Sequence, residues 1–297
     1  GDWHEIIFAQ FGFTDEMTKD INKLWDIHKE EMSAQEFAEA FGERFFRFDE
    51  DVEGPPPNVT DITPLARRRE AIKELHQSIS EEAKERKERN EEFLRQIGLK
   101  VNKGLPVIAD SSVATLRSPK EIAYRLICLL AVASHAEGFD EEVTNSIIDQ
   151  YEAREFLSPK ESSFISLREK PDTEDGEQAA IDFIWRYESC WVLLWALGYI
   201  PELTRPAYTC DVPMSIKVVK RRSFNELLAD ARPRQIEVVL DEADLIYRYH
   251  WAIVDARISN EKVPAALHPS VVYERHYALN WLIGYLNQDW DDISTDT

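Results

Sequence analysis

The run Tyr273–Leu282, YERHYALNWL, sets Glu274, Arg275 and His276 side by side at the start of an apolar stretch that also holds Asn280. A carboxyl, a guanidinium and an imidazole so close together could move protons, because histidine titrates near neutrality and a buried carboxyl can be tuned toward it. With His250, from the preceding helical stretch, Glu274 and His276 could also offer three ligands to a metal ion. No spacing fixes such a set, and Tyr249-His250-Trp251 reads as an aromatic packing surface with a hydrogen-bonded imidazole, so no metal is assigned. The competing use of these residues is structural. The helix they sit on is too apolar to leave all of them in water, and buried charges persist only when paired. Arg186 and Glu188 lie in the setting Trp185-Arg186-Tyr187-Glu188, and Arg248 lies close to His250. The expectation is an interhelical network of Arg186, Glu188, Arg248, Glu274 and Arg275. With His250, His276 and Asn280, the same side chains are the candidate lining of a ligand pocket.

Other chemistries fail on missing parts. Val239-Leu240-Asp241-Glu242-Ala243-Asp244 looks like the acidic metal-binding motif of helicases, but the chain has no G-x-x-x-x-G-K-[ST] loop to cradle phosphates. A helical pattern also runs through these acids to Ile253, where a strand would be needed. There is no H-E-x-x-H and no G-x-S-x-G. Cys190 lies in an apolar helix without a neighbouring base. No catalytic residue and no cofactor is assigned. The tail carries Asp289, Asp291 and Asp292, which could hold a cation or form an acidic contact surface. Trp290 among them should dock the tail onto the body.

The elements that would position these groups read as helices nearly throughout. Thr14 and Ser33 open two helices in the first 48 residues, the second with a phenylalanine stripe at Phe37, Phe41, Phe45 and Phe48. EDVEGPPPNVTD, residues 50–61, is a linker. Thr63-Pro64 starts a long helix whose apolar stripe vanishes into SEEAKERKERNEE, residues 80–92, which predicts a solvated charged arm projecting from the body. Ser118-Pro119-Lys120-Glu121 and Ser158-Pro159-Lys160-Glu161 are two uses of one helix-starting cap. A long aromatic helix ends at Gly198, Ser215–Val219 is a candidate extended piece, Ser223 with Glu226 caps a short helix, and Pro233 and Pro269 start the last two. The expected fold is all-α: a single domain of roughly ten helices over residues 61–297, with a small acidic helical module over residues 1–60.

Charge narrows the partners. The 297 residues carry a formal net charge of −21. Such a surface repels nucleic acid and anionic membranes and speeds encounters with a basic protein. Residues 1–60 hold 15 Asp/Glu against 5 Lys/Arg, with Asp49, Glu50, Asp51 and Glu53 clustered before the linker, which makes them a candidate acidic contact surface. Three cysteines without metal spacing fit a reducing cytoplasm. The N-terminus lacks the pattern of a signal peptide, and no apolar run is long enough to span a membrane. The sequence assigns no oligomeric state.

Four segments together resemble a known family. They are LRSPKEIAYRLICLL (116–130), WRYESCWVLLWALGYIPEL (185–203), LIYRYHWAIVDA (245–256), and VVYERHYALNWLIGY with WDDISTDT (271–285 and 290–297). They resemble the bacterial domain of unknown function 4272 family, over about residues 64–297. The resemblance implies a mostly helical cytosolic bacterial protein with no established enzymatic activity, and it carries no catalytic residues over. Residues 1–60 lie outside it. The functional expectation is an acidic protein that captures a basic protein partner. Its sharpest form is an immunity protein that neutralises a secreted antibacterial toxin, with a nuclease as the suited target. The alternative is an enzyme or small-ligand protein using the Arg/Glu/His pocket.

Overall fold

A computed structural model of the chain describes residues 80–109, 111–112, 114–166 and 174–297. The helices expected between residues 14 and 79, the linker, and Asp49, Glu50, Asp51 and Glu53 lie outside the described residues. Within them the all-α expectation holds. The described residues form nine α-helices and no strand: α1 (Glu81–Gln96), α2 (Pro119–Ala136), α3 (Glu141–Gln150), α4 (Pro159–Ser166), α5 (Glu174–Ala196), α6 (Val212–Lys220), α7 (Phe224–Asp230), α8 (Ile236–Ile258) and α9 (Pro269–Leu282). Short 3-10 turns occupy Arg154–Phe156, Pro264–Ala266, Tyr285–Asn287 and Trp290–Asp292.

Local chemistry starts these helices where the sequence says. Ser118 Oγ accepts from Glu121 N while Glu121 returns a carboxylate oxygen to Ser118 N, and Ser223 and Glu226 repeat the arrangement at α7. Ser158 and Glu161 do the same at α4. Pro269 begins α9. The helix placed at Pro233 starts later, at Ile236. Residues before it run along the end of α5, where Arg232 N donates to Leu197 O and Arg234 N to Ala196 O, so those amides are already committed. The extended piece expected at Ser215–Val219 is instead part of α6. Asp211 caps that helix, and Ser215, Val218 and Val219 form a helical stripe buried against α5. β-branched Ile216, Val218 and Val219 favour a strand by propensity, and tertiary burial overrides it.

Helix order in space follows burial. α2 packs on α5, α5 on α9, α9 on α8, and α8 on α1, with α3, α4 and α7 against α2 and α6 against α5. α2 and α9 are apolar on most sides because neighbours cover them on most sides. α5 ends at Gly198, with φ +85°; a Cβ there would lie 2.2 Å from the carbonyl oxygen of Arg232, so only glycine fits this turn.

The segment expected to project as an arm does not project. Residues 80–92 are helical, capped by Ser80, but α1 lies along α8. Ala83, Arg86, Glu91 and Leu94 are its buried positions, close to the i, i+3, i+4 spacing of a packed face. That face holds an arginine and a glutamate where the sequence pattern looks for leucines, which is why the apolar stripe stops at Ser80 in the sequence.

Candidate functional site

α9 lies between α5 and α8, and its Glu274, Arg275, His276 and Asn280 are all buried. A central helix cannot turn its polar groups to water, so each must find a partner on a neighbour. The four residues do so in different directions, since successive positions on a helix are rotated by about 100°.

Glu274 faces α5. Both of its carboxylate oxygens accept from Arg186 Nη1 at 3.2 Å, and one also accepts from Ser189 Oγ at 2.8 Å. Burial pushes the Glu274 carboxyl above the usual range, with Arg186 and Ser189 opposing. Arg275 faces Glu188 on α5, with Nε 3.4 Å from a carboxylate oxygen, and its Nη1 donates to Thr204 O at 2.6 Å. The other Glu188 oxygen accepts from Cys210 N. This pair therefore ties down the loop between α5 and α6.

His276 faces α8, and its Nδ1 lies 2.9 Å from Nδ1 of His250. Its Nε2 lies 3.1 Å from Asn280 Nδ2, which also donates to Ser294 O at 2.7 Å. These contacts fix the protons. The Ser294 carbonyl can only accept, so the Asn280 amide nitrogen must point this way. His276 Nε2 then accepts, so the His276 proton sits on Nδ1 and is donated to His250 Nδ1. His250 carries its own proton on Nε2. Burial, with Arg257 nearby, lowers His250 to about 4, and burial beside His250 holds His276 well below the ordinary value. Both rings are neutral at neutral pH.

Arg248 does not join these groups. It turns to the opposite contact, where its guanidinium meets Asp244 at 2.7 and 2.8 Å and Glu91 of α1 at 3.5 Å. Asp241 pairs with Arg86 at 3.4 Å and Arg89 at 3.0 Å, and Asn90 donates to Asp244 at 2.9 Å. The acids of the helicase-like stretch thus anchor α1. The single network expected from the sequence is therefore three separate clusters: Arg186–Glu274, Arg275–Glu188, and Arg248 with Asp244 and Glu91.

One of the buried carboxylates that escaped the sequence reading is Glu161 on α4. Arg125 on α2 pairs with Glu161 on α4, and Glu161 is fully buried. Glu161 reads in sequence only as the last letter of a capping box, and that role concealed the ion pair. The two arginines Arg125 and Arg186 lie over the Trp290 ring at 5.1 and 5.7 Å, and Arg186 also lies 4.4 Å over Tyr277. Trp290 is 5% exposed, and Tyr277 Oη donates to its carbonyl, so the tail docks on the body as its tryptophan suggests. Asp291 accepts from Lys160 N at 3.0 Å in the first turn of α4, while Asp289 and Asp292 remain exposed.

No group of three or more His, Cys, Asp or Glu able to hold a metal ion occurs among the described residues. All three cysteines are free thiols; burial pushes Cys128 up to about 12 and raises Cys190 and Cys210 too. A cleft of about 390 Å³ lies elsewhere, between Ala109, residues 114–117 and Glu121 on one side and the turn at residues 283–287 on the other. Its charged groups are committed. Arg117 donates to Trp281 O and Gln288 O, and Glu121 closes its capping box.

No helix among the described residues is long and apolar enough to cross a membrane. A sequence model of the family described as Domain of unknown function (DUF4272) matches residues 86–293, most of the chain, and the chain belongs to that family. No curated protein and no solved structure matches it.

Proposed function

We propose that this member of the domain of unknown function 4272 family is an acidic binding protein that captures a basic protein partner. One observation carries the reading: among the described residues the buried charges cancel, so their excess lies outside. Arg86, Arg125, Arg186, Arg248 and Arg275 are matched by Glu91, Glu161, Glu188, Asp244 and Glu274. Among the described residues the interior thus adds nothing to the formal charge of −21, and the acidic excess these residues carry lies on their surface, where it acts through solvent on whatever approaches. An acidic surface steers a cationic partner in and rejects anionic ones, at little cost to the fold.

The sharpest form of this reading is an immunity protein acting in the cytoplasm of a bacterium on a secreted antibacterial toxin. A nuclease toxin suits it, since a cleft built to hold phosphates is cationic and accepts a carboxylate surface in their place. The exposed Asp289 and Asp292, and Asp49, Glu50, Asp51 and Glu53 of the N-terminal module, are candidate contacts. The experiment is to isolate the partner that the full chain retains, then produce that partner in a heterologous host with and without the chain. Growth arrest by the partner alone, relieved by the chain, is the expected result. A partner harmless on its own ends the immunity form and leaves a binding protein of another kind.

A second reading, a small-ligand or enzymatic site, is favoured by one feature. His250 is only partly buried, and the hydrogen-bond order leaves its Nε2–H pointing away from His276. His250→Ala and Glu274→Ala separate the readings: a structural role lowers stability, whereas a ligand site loses binding in a protein that stays folded.

A further inference from the structure

We infer that the corner between α2 and α3 seats the basic partner, with Phe139 and Val143 as apolar anchors inside a ring of carboxylates. The inference rests on the binding reading above and says where on the chain the contact falls and what it fits.

The corner is built so that its aromatic residue stays outside. α2 closes with Gly138 at φ +102°, Gly138 N donating to His135 O and Phe139 N to Ser134 O. In this closure the residue after the glycine usually packs on an apolar side chain one turn back in the helix. Here that position is Ser134, whose hydroxyl is committed to Leu130 O. Phe139 also precedes Asp140, the N-cap of α3, a place from which an apolar residue usually staples onto the fourth residue of the new helix. That residue is Thr144, buried and 3.4 Å from His135 Nδ1. Both local contacts that would hide Phe139 are taken by hydroxyl residues. Phe139 is left 52% exposed and Val143 43% exposed.

Along this stretch of the chain the charge is one-sided. Residues 137–156 contain Glu137, Asp140, Glu141, Glu142, Asp149, Glu152 and Glu155 against Arg154 as the one base. Arg154 is already spent on Asp149 at 2.8 Å and Asn145 at 2.9 Å. Asp140 stands at the N-cap without bonding the helix backbone, so its carboxylate is not used in capping. Apolar anchors ringed by like charge are the anatomy of a contact with a partner of opposite charge. The surface is helical, with no open strand edge to extend, so recognition runs through side chains. The occupant that fits is a Lys/Arg-rich amphipathic helix of the partner. A second copy of the chain fits badly, because the ring would meet itself.

The test uses the full chain and two fluorescent peptides of one Leu/Lys composition: one amphipathic as a helix, the other scrambled so that it has no apolar face. The chain should bind the amphipathic peptide several-fold more tightly than the scrambled one. Phe139→Ser with Val143→Ser should weaken that binding about tenfold while the melting temperature stays unchanged, since both residues are exposed. Asp140→Asn with Glu141→Gln and Glu142→Gln should weaken it and flatten its salt dependence. Normal binding by both variants puts the contact elsewhere and sinks this inference while the binding reading stands. Equal binding of the two peptides also sinks it, because the apolar anchors then do nothing. No binding of either peptide to the unmodified chain sinks both. A dimer of the unmodified chain that Phe139→Ser dissolves assigns the corner to a second copy and overturns the proposal.

Discussion

Asn280 decides where two protons sit although it touches only one of the two rings. Its amide is oriented by the carbonyl of Ser294, that orientation makes His276 Nε2 an acceptor, and His276 must then donate to His250. A pair of neutral imidazoles held this way has a thermodynamic signature. The native His250 value of about 4 lies below the ordinary 6.5, so between those pH values the unfolded chain binds a proton that the native one refuses. Stability therefore falls as pH drops from 6.5 to 4, by on the order of 3 kcal/mol at the lower end for this group. Glu242, raised to about 7 mainly by burial, shifts in the opposite sense in the same range, since its native carboxyl keeps a proton that the unfolded chain releases. Denaturant titrations of wild type and His250→Gln across pH 4–8 isolate the histidine: the wild-type advantage should shrink steadily below pH 6.5. A pH-independent difference contradicts the neutral pair. In sequence, the apolar run around Glu274, Arg275, His276 and Asn280 told that some of them are buried, and not that all four are. Their partners were legible only where a neighbouring helix carried one obvious opposite charge. Arg248 went astray because its partners, Asp244 and Glu91, looked like a nucleotide motif and a solvated arm.

At the scale of elements, helix starts were the most legible feature, because a capping box is a local contract between a hydroxyl and a carboxylate three residues on. The same locality misled at α1. Arg86 and Glu91 occupy a packed face, and no pattern of apolar residues can announce a face that is held by ion pairs. The C-terminal segment was half legible: Trp290 signalled docking, but its seat between Arg125 and Arg186 depends on two helices distant in sequence. That seat links α2, α5 and the tail. Trp290→Ala removes a buried ring and its two cation contacts, and should cost about 3–5 kcal/mol. Thermal denaturation measures it. A loss under about 1 kcal/mol would mean that the tail is an accessory to the fold and not part of its core.

For the whole molecule the instructive quantity is charge, sorted by where it lies. The composition gave the total and could not divide inside from outside; the paired arginines and carboxylates of the interior make that division. Among the described residues the exterior carries the excess; such charge acts at long range, and salt is the variable that turns it off. The most direct measurement is affinity capture with the full chain from the cells that make it, at about 0.05 M and about 0.5 M salt, beside a chain with Asp49→Asn, Glu50→Gln, Asp51→Asn and Glu53→Gln. The account predicts one basic protein held in stoichiometric amount at low salt and released at high salt, with weaker retention by the neutralised chain. A partner retained equally at both salt concentrations, or no protein retained at all, would contradict the claim that the acidic exterior exists to capture a basic partner.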